Sequence, residues 1–453
     1  MAKLFGTDGI RGLAGQPPLD SKTIYATGHA LGEFLRQQKA TGKVLLGEDT
    51  RESSPWVTSY LAAGLRAAGA EIVSAGVIPT PALAQLVCAR PEAFGAAAMV
   101  SASHNPYRDN GIKLIAASGM KFPDETEARL EERIRQLQSE AAPPQPHSPR
   151  VDISLANDYI ELLRQATPAN LYADFSGLHL VVDSAHGAAA RVAPKLFRSL
   201  GLGVTPIHAS PNGRNINHAC GALHPESLQK KVAEVRAHLG VALDGDADRA
   251  IFVSASGRIV NGDGVLFACA RWMKAKGWLK GGCVVGTVMA NLGLERALEK
   301  EGLLLVRTPV GDRYVLEEML RRGANLGGEQ SGHVIFLDDA PTGDGLLTAL
   351  KILALLREQE TTLDETVAGL KVFPQALRNL RVRERRPLEE LPAVEQALRE
   401  AQDALTLKKR GRVLIRYSGT EPLLRIMVEA ETEAEVERWL DHLARAVQTT
   451  LEP

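Results

Sequence analysis

The sequence has few cysteines, almost no net charge and no long apolar run. Its 453 residues include only four cysteines, and no two of them form a Cys-x-x-Cys pair. This spacing argues against a zinc knuckle and a disulfide framework, and it fits a reducing compartment. No apolar run reaches the roughly 20 residues that a membrane-spanning helix needs.

The charge balance restricts the kind of partner. The chain has 53 basic and 54 acidic residues, for a net charge of −1. Nucleic acid and anionic membranes therefore find no general electrostatic attraction, and we expect a small-molecule partner instead. The N-terminus turns polar too early for a signal peptide, so we expect a cytoplasmic protein. The sequence leaves open whether it is a monomer or a homodimer.

The chain is too long for one hydrophobic core, since domains usually contain about 100–200 residues. An apolar strand, a polar turn and a helical pattern recur three times, and a proline-rich stretch at 141–150 is the best linker candidate. The last segment differs, with strands predicted at 380–385, 412–416 and 424–429. We therefore predict three similar mixed-sheet α/β domains and a smaller C-terminal α+β domain. The predicted limits are 1–150, 151–253, 254–370 and 371–453.

A polar turn follows the apolar run at 94–100. Its polar residues are Ser101, Ser103, His104 and Asn105, and Pro106 follows them. Pro106 fixes its own φ and disfavours a helical conformation at Asn105, so the loop should be stiff. A serine on a stiff polar loop suits a nucleophile or a phosphate carrier. An ordinary polar turn would explain the same residues.

Three aspartates, Asp244, Asp246 and Asp248, alternate directly after a predicted strand. Like charges so close together repel one another, and a divalent cation with oxygen ligands is the usual stabiliser. An EF-hand is excluded, because Arg249 and Ala255 stand where its loop needs Gly and Glu. Magnesium, which is commonly bound by few carboxylates together with a phosphate oxygen, fits better. A solvated surface turn is the alternative.

Separate basic residues could complete a site for phosphoryl transfer. Arg11 lies in a glycine-rich segment, Lys113 follows the Ser103 loop, and Arg249 follows the aspartates. The segment 416–425 contains two arginines, two hydroxyls and a glycine, which suit an anion, although a charged hairpin turn would look the same. A phosphoryl group on Ser103 could then face a cation held by the aspartates.

Five segments resemble the signature loops of the α-D-phosphohexomutase superfamily. They follow the family's order over nearly the whole chain and are residues 5–12, 101–113, 244–249, 328–333 and 416–422. Within the superfamily, Gln330 and the segment 308–314 make the chain most similar to the bacterial phosphoglucosamine mutases. The resemblance implies four domains around a central cleft.

The resemblance also implies a reaction. Glucosamine 6-phosphate and glucosamine 1-phosphate would be interconverted through a phosphoserine and a bisphosphate intermediate, for UDP-N-acetylglucosamine synthesis. The alternatives are a phosphoglucomutase or phosphomannomutase of the same superfamily and a non-catalytic phosphosugar-binding protein.

Individual residues acquire roles from the same resemblance. Ser103 would be phosphorylated, with Ser101 as the alternative acceptor. One Mg²⁺ would be bound by Ser103, Asp244, Asp246 and Asp248. The catalytic residues would be Ser103, Arg11, Lys113 and His104. The substrate-binding residues would be Asp312, Glu329, Ser331, His333 and Arg249. The phosphate-binding residues would be Arg416, Ser418, Gly419, Thr420 and Arg425.

Overall fold

The computed structural model describes residues 3–6, 8–39, 43–139, 145–166, 175–407, 410–417 and 423–451. It divides into two compact units. The first unit contains Met1–Met289 and Val306–Val367, and the second contains Ala290–Leu305 and Ala368–Pro453. In the part of the chain that is described, no helix combines the length and apolar character needed to cross a bilayer.

The first sheet of the larger unit has the strand order β1-β5-β4-β2-β3. Its strands are β1 Ile10–Leu13, β2 Lys43–Glu48, β3 Glu71–Val77, β4 Ala96–Val100 and β5 Asp109–Ala116. The helices of this part are α1 Ser21–Gln37, α2 Ser54–Ala67, α3 Thr80–Ala89 and α4 Asp124–Gln138. β3, β2 and β4 are parallel, whereas β5 runs antiparallel to both β4 and β1. The sheet is therefore mixed, as predicted.

Helices α1 and α2 pack very closely against each other. A Cβ atom at Gly28 would lie 2.1 Å from the Leu61 carbonyl oxygen, and one at Gly64 would lie 2.0 Å from the Tyr25 carbonyl oxygen. Real side chains cannot occupy such positions, so glycine at both sites allows the two backbones to approach. The buried apolar side chains beneath, such as Ile24, form the core of this part.

The second sheet has the order β10-β9-β8-β6-β7. Its strands are β6 His179–Asp183, β7 Gly203–Ile207, β8 Leu239–Leu243, β9 Ala250–Ser254 and β10 Ile259–Val260. The helices are α5 Leu155–Gln165, α6 Val192–Ser199 and α7 Glu226–Val235. β7, β6 and β8 are parallel, and β9 is antiparallel to β8 and β10.

The third sheet has the order β12-β11-β13-β14. Its strands are β11 Cys283–Thr287, β12 Leu304–Thr308, β13 Leu326–Gly328 and β14 Val334–Phe336. The helices of this segment are α8 Gly262–Ala275, α9 Leu292–Lys300, α10 Asp312–Arg322, α11 Gly345–Glu358 and α12 Leu363–Thr366. Of these helices, α9 belongs to the second compact unit.

The three sheets present their polar loops in the same way. In each sheet a loop joins two adjacent antiparallel strands, which are β4 and β5, β8 and β9, or β13 and β14. These loops contain Ser103, the aspartates 244–248 and the segment 329–333 respectively. The recurrence seen in the sequence therefore corresponds to one repeated arrangement of strand, loop and strand.

The second unit contains a three-stranded antiparallel sheet with the order β15-β17-β16. Its strands are β15 Gln375–Arg381, β16 Gly411–Tyr417 and β17 Leu423–Ala430, and its helices after residue 368 are α13 Pro392–Ala401 and α14 Glu433–Leu451. The prediction of a strand at 380–385 is wrong. β15 covers Gln375–Arg381, and its last residue pairs with Leu423 of β17.

Candidate active site

Ser103 lies in the loop between β4 and β5 and is almost completely buried. Its φ of 52° places it in the left-handed region, which is uncommon for a residue other than glycine. The Ser103 Oγ donates to Asp244 Oδ2 at 2.7 Å and lies 3.4 Å from His104 Nδ1. The Ser103 N–H donates to Ser101 Oγ at 2.9 Å. The loop therefore aims the Ser103 hydroxyl at the aspartate cluster, while Ser101 holds the backbone.

The three aspartates form a buried cluster that fits a divalent cation. One oxygen from each of Asp244, Asp246 and Asp248 lies within 4.8 Å of the others. Among the described residues, neither Asp246 Oδ1 nor Asp248 Oδ1 accepts a hydrogen bond. Burial and the charges of Asp248 and Asp246 raise the pKa of Asp244 well above its ordinary value. Converging carboxylates with vacant acceptor positions are the chemistry that a hard cation prefers.

Lys113 and Asp8 connect the aspartates to the N-terminal segment. The Lys113 Nζ lies 2.9 Å from Asp246 Oδ2, 3.6 Å from Asp248 Oδ2 and 3.1 Å from Asp8 Oδ2. Burial disfavours the charged amine, but these three carboxylates outweigh it and raise the pKa of Lys113 well above its ordinary value. Arg11 also donates to Asp8. Two of the predicted catalytic residues, Arg11 and Lys113, are thus brought together by one carboxylate that the sequence did not single out.

His104 and Arg249 line a cleft with a volume of about 530 Å³. Burial lowers the pKa of His104 to about 4, helped by the positive charges of Arg249 and Arg11. Its imidazole is therefore neutral at neutral pH. The Arg249 Nε lies 3.8 Å from Asp248 Oδ1, and the backbone N–H of Arg249 donates to Asp244 Oδ1 at 3.2 Å. The cleft thus begins directly beside the aspartate cluster.

The loop between β13 and β14 supplies the other polar side chains of the cleft, which are Glu329, Gln330 and Ser331. The Glu329 Oε1 accepts from the Gly311 N–H at 3.1 Å. Within the described structure, the buried Ser331 Oγ has no hydrogen-bond partner. A carboxylate, an amide and a hydroxyl that converge on one cleft can recognise the hydroxyl or amino groups of a sugar.

Asp312 and His333 line a different cavity, of about 180 Å³. Asp312 is paired with Lys121, whose Nζ lies 2.8 Å from both Asp312 Oδ2 and Asp8 Oδ1. The His333 Nδ1 lies 3.7 Å from Asp248 Oδ2. Burial disfavours the charged ring, but the hydrogen bond and charge of Asp248 and the charges of Asp312 and Glu329 outweigh it and raise the pKa of His333 to about 9. The structure therefore places both residues in a cavity that also borders Asp248 and that differs from the cleft lined by His104 and Arg249. Their role in substrate binding stays a prediction.

Several residues around the site were not singled out from the sequence. Thr80, at the start of α3, donates from Oγ1 to Asp246 Oδ2 at 2.5 Å. Asn217 donates to the Ser103 carbonyl at 2.8 Å, and Arg51 donates to the same oxygen. These contacts join residues separated by 52 to 166 positions, so no local pattern could have revealed them.

A second cluster contains Asp183, His208 and Cys220. Here the carboxylate is already satisfied, because Asp183 Oδ1 accepts from the Ala185 N–H, and Oδ2 accepts from the Gly221 N–H and faces His208 Nδ1 at 2.9 Å. Burial and the Asp183 charge raise the pKa of the Cys220 thiol to about 12. These contacts describe a structural turn, in contrast to the vacant acceptors of the aspartate cluster.

In the second unit, Arg416 on β16 lies opposite Arg425 on β17. Burial and the neighbouring Arg425 charge lower the pKa of Arg416, because two adjacent guanidinium groups repel each other. Such a pair is suited to an anion. The predicted residues Ser418, Gly419 and Thr420 lie outside the described part of the chain.

Comparisons with known families cover most of the chain. Models of phosphoglucomutase/phosphomannomutase match alpha/beta/alpha domain I at residues 2–141, domain II at 157–257 and domain III at 261–373. The model of the C-terminal domain matches residues 377–446. The phosphoglucosamine mutase of Solibacter usitatus is 52% identical over 449 residues, which are 99% of each chain. That of Koribacter versatilis is 48% identical over 457 residues, which cover 99% of this chain and 97% of the relative.

Solved structures share the fold. A phosphoglucomutase/phosphomannomutase family protein from Burkholderia thailandensis has a TM-score of 0.80 and 26% identity, over 100% of this chain and 99% of that one. The N-acetylphosphoglucosamine mutase of Aspergillus fumigatus, solved with GlcNAc-6P and magnesium, has a TM-score of 0.69 and 19% identity, over 98% and 95% of the chains. The predicted fold class and the prediction of an isomerase-class mutase are confirmed. The chain belongs to the phosphoglucomutase/phosphomannomutase family, and the two full-length relatives named above are phosphoglucosamine mutases.

Proposed function

We propose that this chain interconverts glucosamine 6-phosphate and glucosamine 1-phosphate in the cytoplasm, as a step toward UDP-N-acetylglucosamine. The observation that carries the proposal is the position of the Ser103 hydroxyl, 2.7 Å from Asp244 in a buried aspartate cluster with vacant acceptors. A binding protein needs neither a phosphorylatable serine nor this cluster. The names of the full-length relatives favour the amino sugar.

The reaction requires two phosphoryl transfers at Ser103. In the first, a sugar hydroxyl oxygen attacks the phosphorus of phosphoserine 103, so that an O–P bond forms, the Oγ–P bond breaks and the hydroxyl loses its proton. The product is glucosamine 1,6-bisphosphate. After this bisphosphate turns in the cleft, Oγ of Ser103 takes the other phosphoryl group, and the released sugar oxygen regains a proton. The phosphoserine is thereby restored and no net phosphate is consumed.

The residues around Ser103 have different roles in the phosphoryl transfer. Asp244, Asp246 and Asp248 would hold Mg²⁺, which when bound offsets negative charge on the transferring group. Lys113 remains protonated between its carboxylates and adds a fixed positive charge. The neutral His104 lines the cleft and can accept the proton of the attacking hydroxyl.

The cleft accounts for recognition of the sugar. Glu329 and Ser331 present a carboxylate and an unpartnered hydroxyl, and Arg249 lies on the same wall. Gln330 donates to Asp263 at 3.3 Å, which fixes its amide at the rim. Arg416 and Arg425, with the 418–420 segment, would bind a phosphate group. A glucose or mannose phosphate would use the same chemistry, so it is the second candidate substrate.

The test is a comparison of kcat/KM for the phosphates of glucosamine, glucose and mannose, with Mg²⁺ and a catalytic amount of the matching 1,6-bisphosphate. The proposal predicts a clear preference for the glucosamine phosphate and no turnover after treatment with a chelator. A preference for glucose or mannose would refute the substrate assignment but keep the mechanism. Absence of turnover with all three, with Ser103 shown to be phosphorylated by intact mass, would refute the enzymatic proposal.

A further inference from the structure

Arg51 is a fully buried arginine in the segment that follows β2. Its side chain and that of Asp49 have no exposed surface, and the Arg51 Nε donates to Asp49 Oδ2 at 2.8 Å. Burying a charge is costly unless it is paired and hydrogen-bonded. Such a pair at the edge of a site therefore needs an explanation in terms of what it contacts.

The guanidinium group of Arg51 contacts the backbone of the Ser103 loop. Its Nη2 donates to the carbonyl oxygens of Ser103 at 2.8 Å and Asn105 at 2.9 Å. Its Nη1 donates to the carbonyl oxygens of Asp109 at 2.9 Å and of Pro106. Together with the bond from Nε to Asp49, these contacts use every N–H of the guanidinium group. No donor is left for a ligand, so Arg51 acts on the loop and not on the substrate.

Asp49 is hydrogen-bonded to the same loop through the Ser101 side chain. Its Oδ2 accepts from Ser101 Oγ at 2.7 Å, and Ser101 Oγ in turn accepts the Ser103 N–H at 2.9 Å. Its Oδ1 accepts from Ser54 Oγ at 2.9 Å and from the Arg51 N–H at 3.1 Å. The pair therefore reaches the N–H of Ser103 through Ser101 and the carbonyl of Ser103 directly.

We propose that Arg51, oriented by Asp49, is the positioning residue that holds Ser103 in its left-handed conformation and so keeps the hydroxyl directed at the aspartate cluster. The inference deepens the proposed function and rests on it for its kinetic consequence. A non-glycine residue keeps such a φ only where its surroundings enforce it. The four carbonyl contacts of Arg51 supply that constraint on the backbone, while the Ser103 hydroxyl is free to donate to Asp244.

The first test is Arg51→Lys, which keeps the charge beside Asp49 but cannot reach four carbonyl oxygens at once. We expect kcat to fall roughly 100-fold, because displacing a reacting group by about 1 Å costs about that factor. KM should change little, since Arg51 has no donor for the sugar phosphate. A kcat close to that of the wild-type protein, or a rise in KM alone, would overturn the proposal.

The matched control is Arg133→Lys. Arg133 also makes a two-pronged contact: its Nε and Nη2 donate to Glu33 Oε2 and Oε1 at 2.7 and 3.1 Å. These bonds join α4 to α1. It lies in the same part of the fold but does not contact the Ser103 loop in any of these bonds. We expect kcat and KM to stay at the wild-type values, and an equal loss of kcat in both variants would contradict a specific role for Arg51.

Hydrogen exchange supplies a readout that does not depend on turnover. Arg51→Lys should speed amide exchange in the segment 101–111 and leave the segment 239–243 of β8 unchanged. Unchanged exchange at 101–111 would overturn the positioning role, whether or not the wild-type protein has mutase activity. Failure of the proposed function would instead appear as absence of turnover in the wild-type protein. If Arg51→Lys does not fold, Asp49→Asn replaces it, with a smaller loss of kcat expected and undiminished kcat as the contradicting result.

Discussion

The aspartate cluster should make the stability of the protein depend on Mg²⁺. Lys113 and Arg249 offset part of the charge of the three aspartates, but Asp246 Oδ1 and Asp248 Oδ1 accept no hydrogen bond within the described structure. Cation binding should therefore relieve the repulsion that remains among the carboxylates. At a Mg²⁺ concentration of 100 times Kd, the folded state gains about 2.7 kcal/mol. For a chain of 453 residues, an unfolding entropy of about 2.1 cal/mol/K per residue means that each kcal/mol raises Tm by about 1 °C, so we expect a rise of about 3 °C.

The variant Asp244→Asn separates this effect from general salt effects. Its amide can still accept the Arg249 N–H and can donate to Ser103 Oγ, so both hydrogen bonds of Asp244 have replacements. Burial and two neighbouring carboxylates raise the pKa of Asp244, and a group with a raised pKa loses its contribution to stability as pH rises through that pKa. At pH 8 the metal-free variant should therefore be at least as stable as the metal-free wild-type protein.

The assay is thermal unfolding of chelator-treated protein during titration with MgCl₂, with NaCl of equal ionic strength as the control. We expect Tm to rise in the wild-type protein and to stay constant in Asp244→Asn. An equal rise in both proteins, or a metal-free variant that unfolds at a lower temperature than the wild-type protein at pH 8, would refute the assignment of the cation site.

Five further substitutions test separate residues of the site and one buried carboxylate, Asp344, at the start of α11. Ser103→Ala should abolish turnover without lowering Tm, whereas Ser101→Ala should leave measurable turnover; the reverse order would move the phosphoryl group to Ser101. Gln330→Met should shift the kcat/KM ratio between glucosamine and glucose phosphates toward glucose, and an unchanged ratio would remove Gln330 from sugar selection. Arg416→Ala should raise KM more than it lowers kcat, as steady-state kinetics would show. Burial raises the pKa of Asp344 to about 6, so its ionisation should cost up to about 3 kcal/mol of stability as pH rises from about 4 to above 6. This pH-dependent loss should be absent from Asp344→Asn, as urea unfolding of both proteins at pH 4 and pH 8 would show, and an equal loss in both would contradict it.

Much of the fold could be predicted because its signals are local. The strands predicted at 412–416 and 424–429 are present as β16 Gly411–Tyr417 and β17 Leu423–Ala430. The helix from Ser21 begins directly after Asp20, whose side chain caps it. The strand predicted at 380–385 was misplaced because alternating arginines imitate a half-exposed strand. The observed strand, β15, is defined by its pairing with β17. That pairing joins distant parts of the chain, so the residues around 380 do not reveal where the strand begins and ends.

The candidate site was predictable only where a short motif carried the chemistry. Ser103 and the three aspartates belong to compact motifs, and the structure brings them together. Thr80 was not predicted because it meets Asp246 only after two sheets have formed around them. Arg51 was visible in the sequence but carried no assigned role, because its partners are backbone carbonyls and no side-chain pattern identifies them.

The central claim is that Ser103 carries the phosphoryl group that reaches the sugar. The most direct measurement is a single turnover, in which enzyme phosphorylated at Ser103 is mixed with glucosamine 6-phosphate and Mg²⁺ and followed by intact mass and product analysis. Our account predicts that the enzyme transiently loses one phosphoryl group as bisphosphate forms, and that it regains the group as glucosamine 1-phosphate appears. Formation of glucosamine 1-phosphate by enzyme that never carries a phosphoryl group on Ser103 would contradict it.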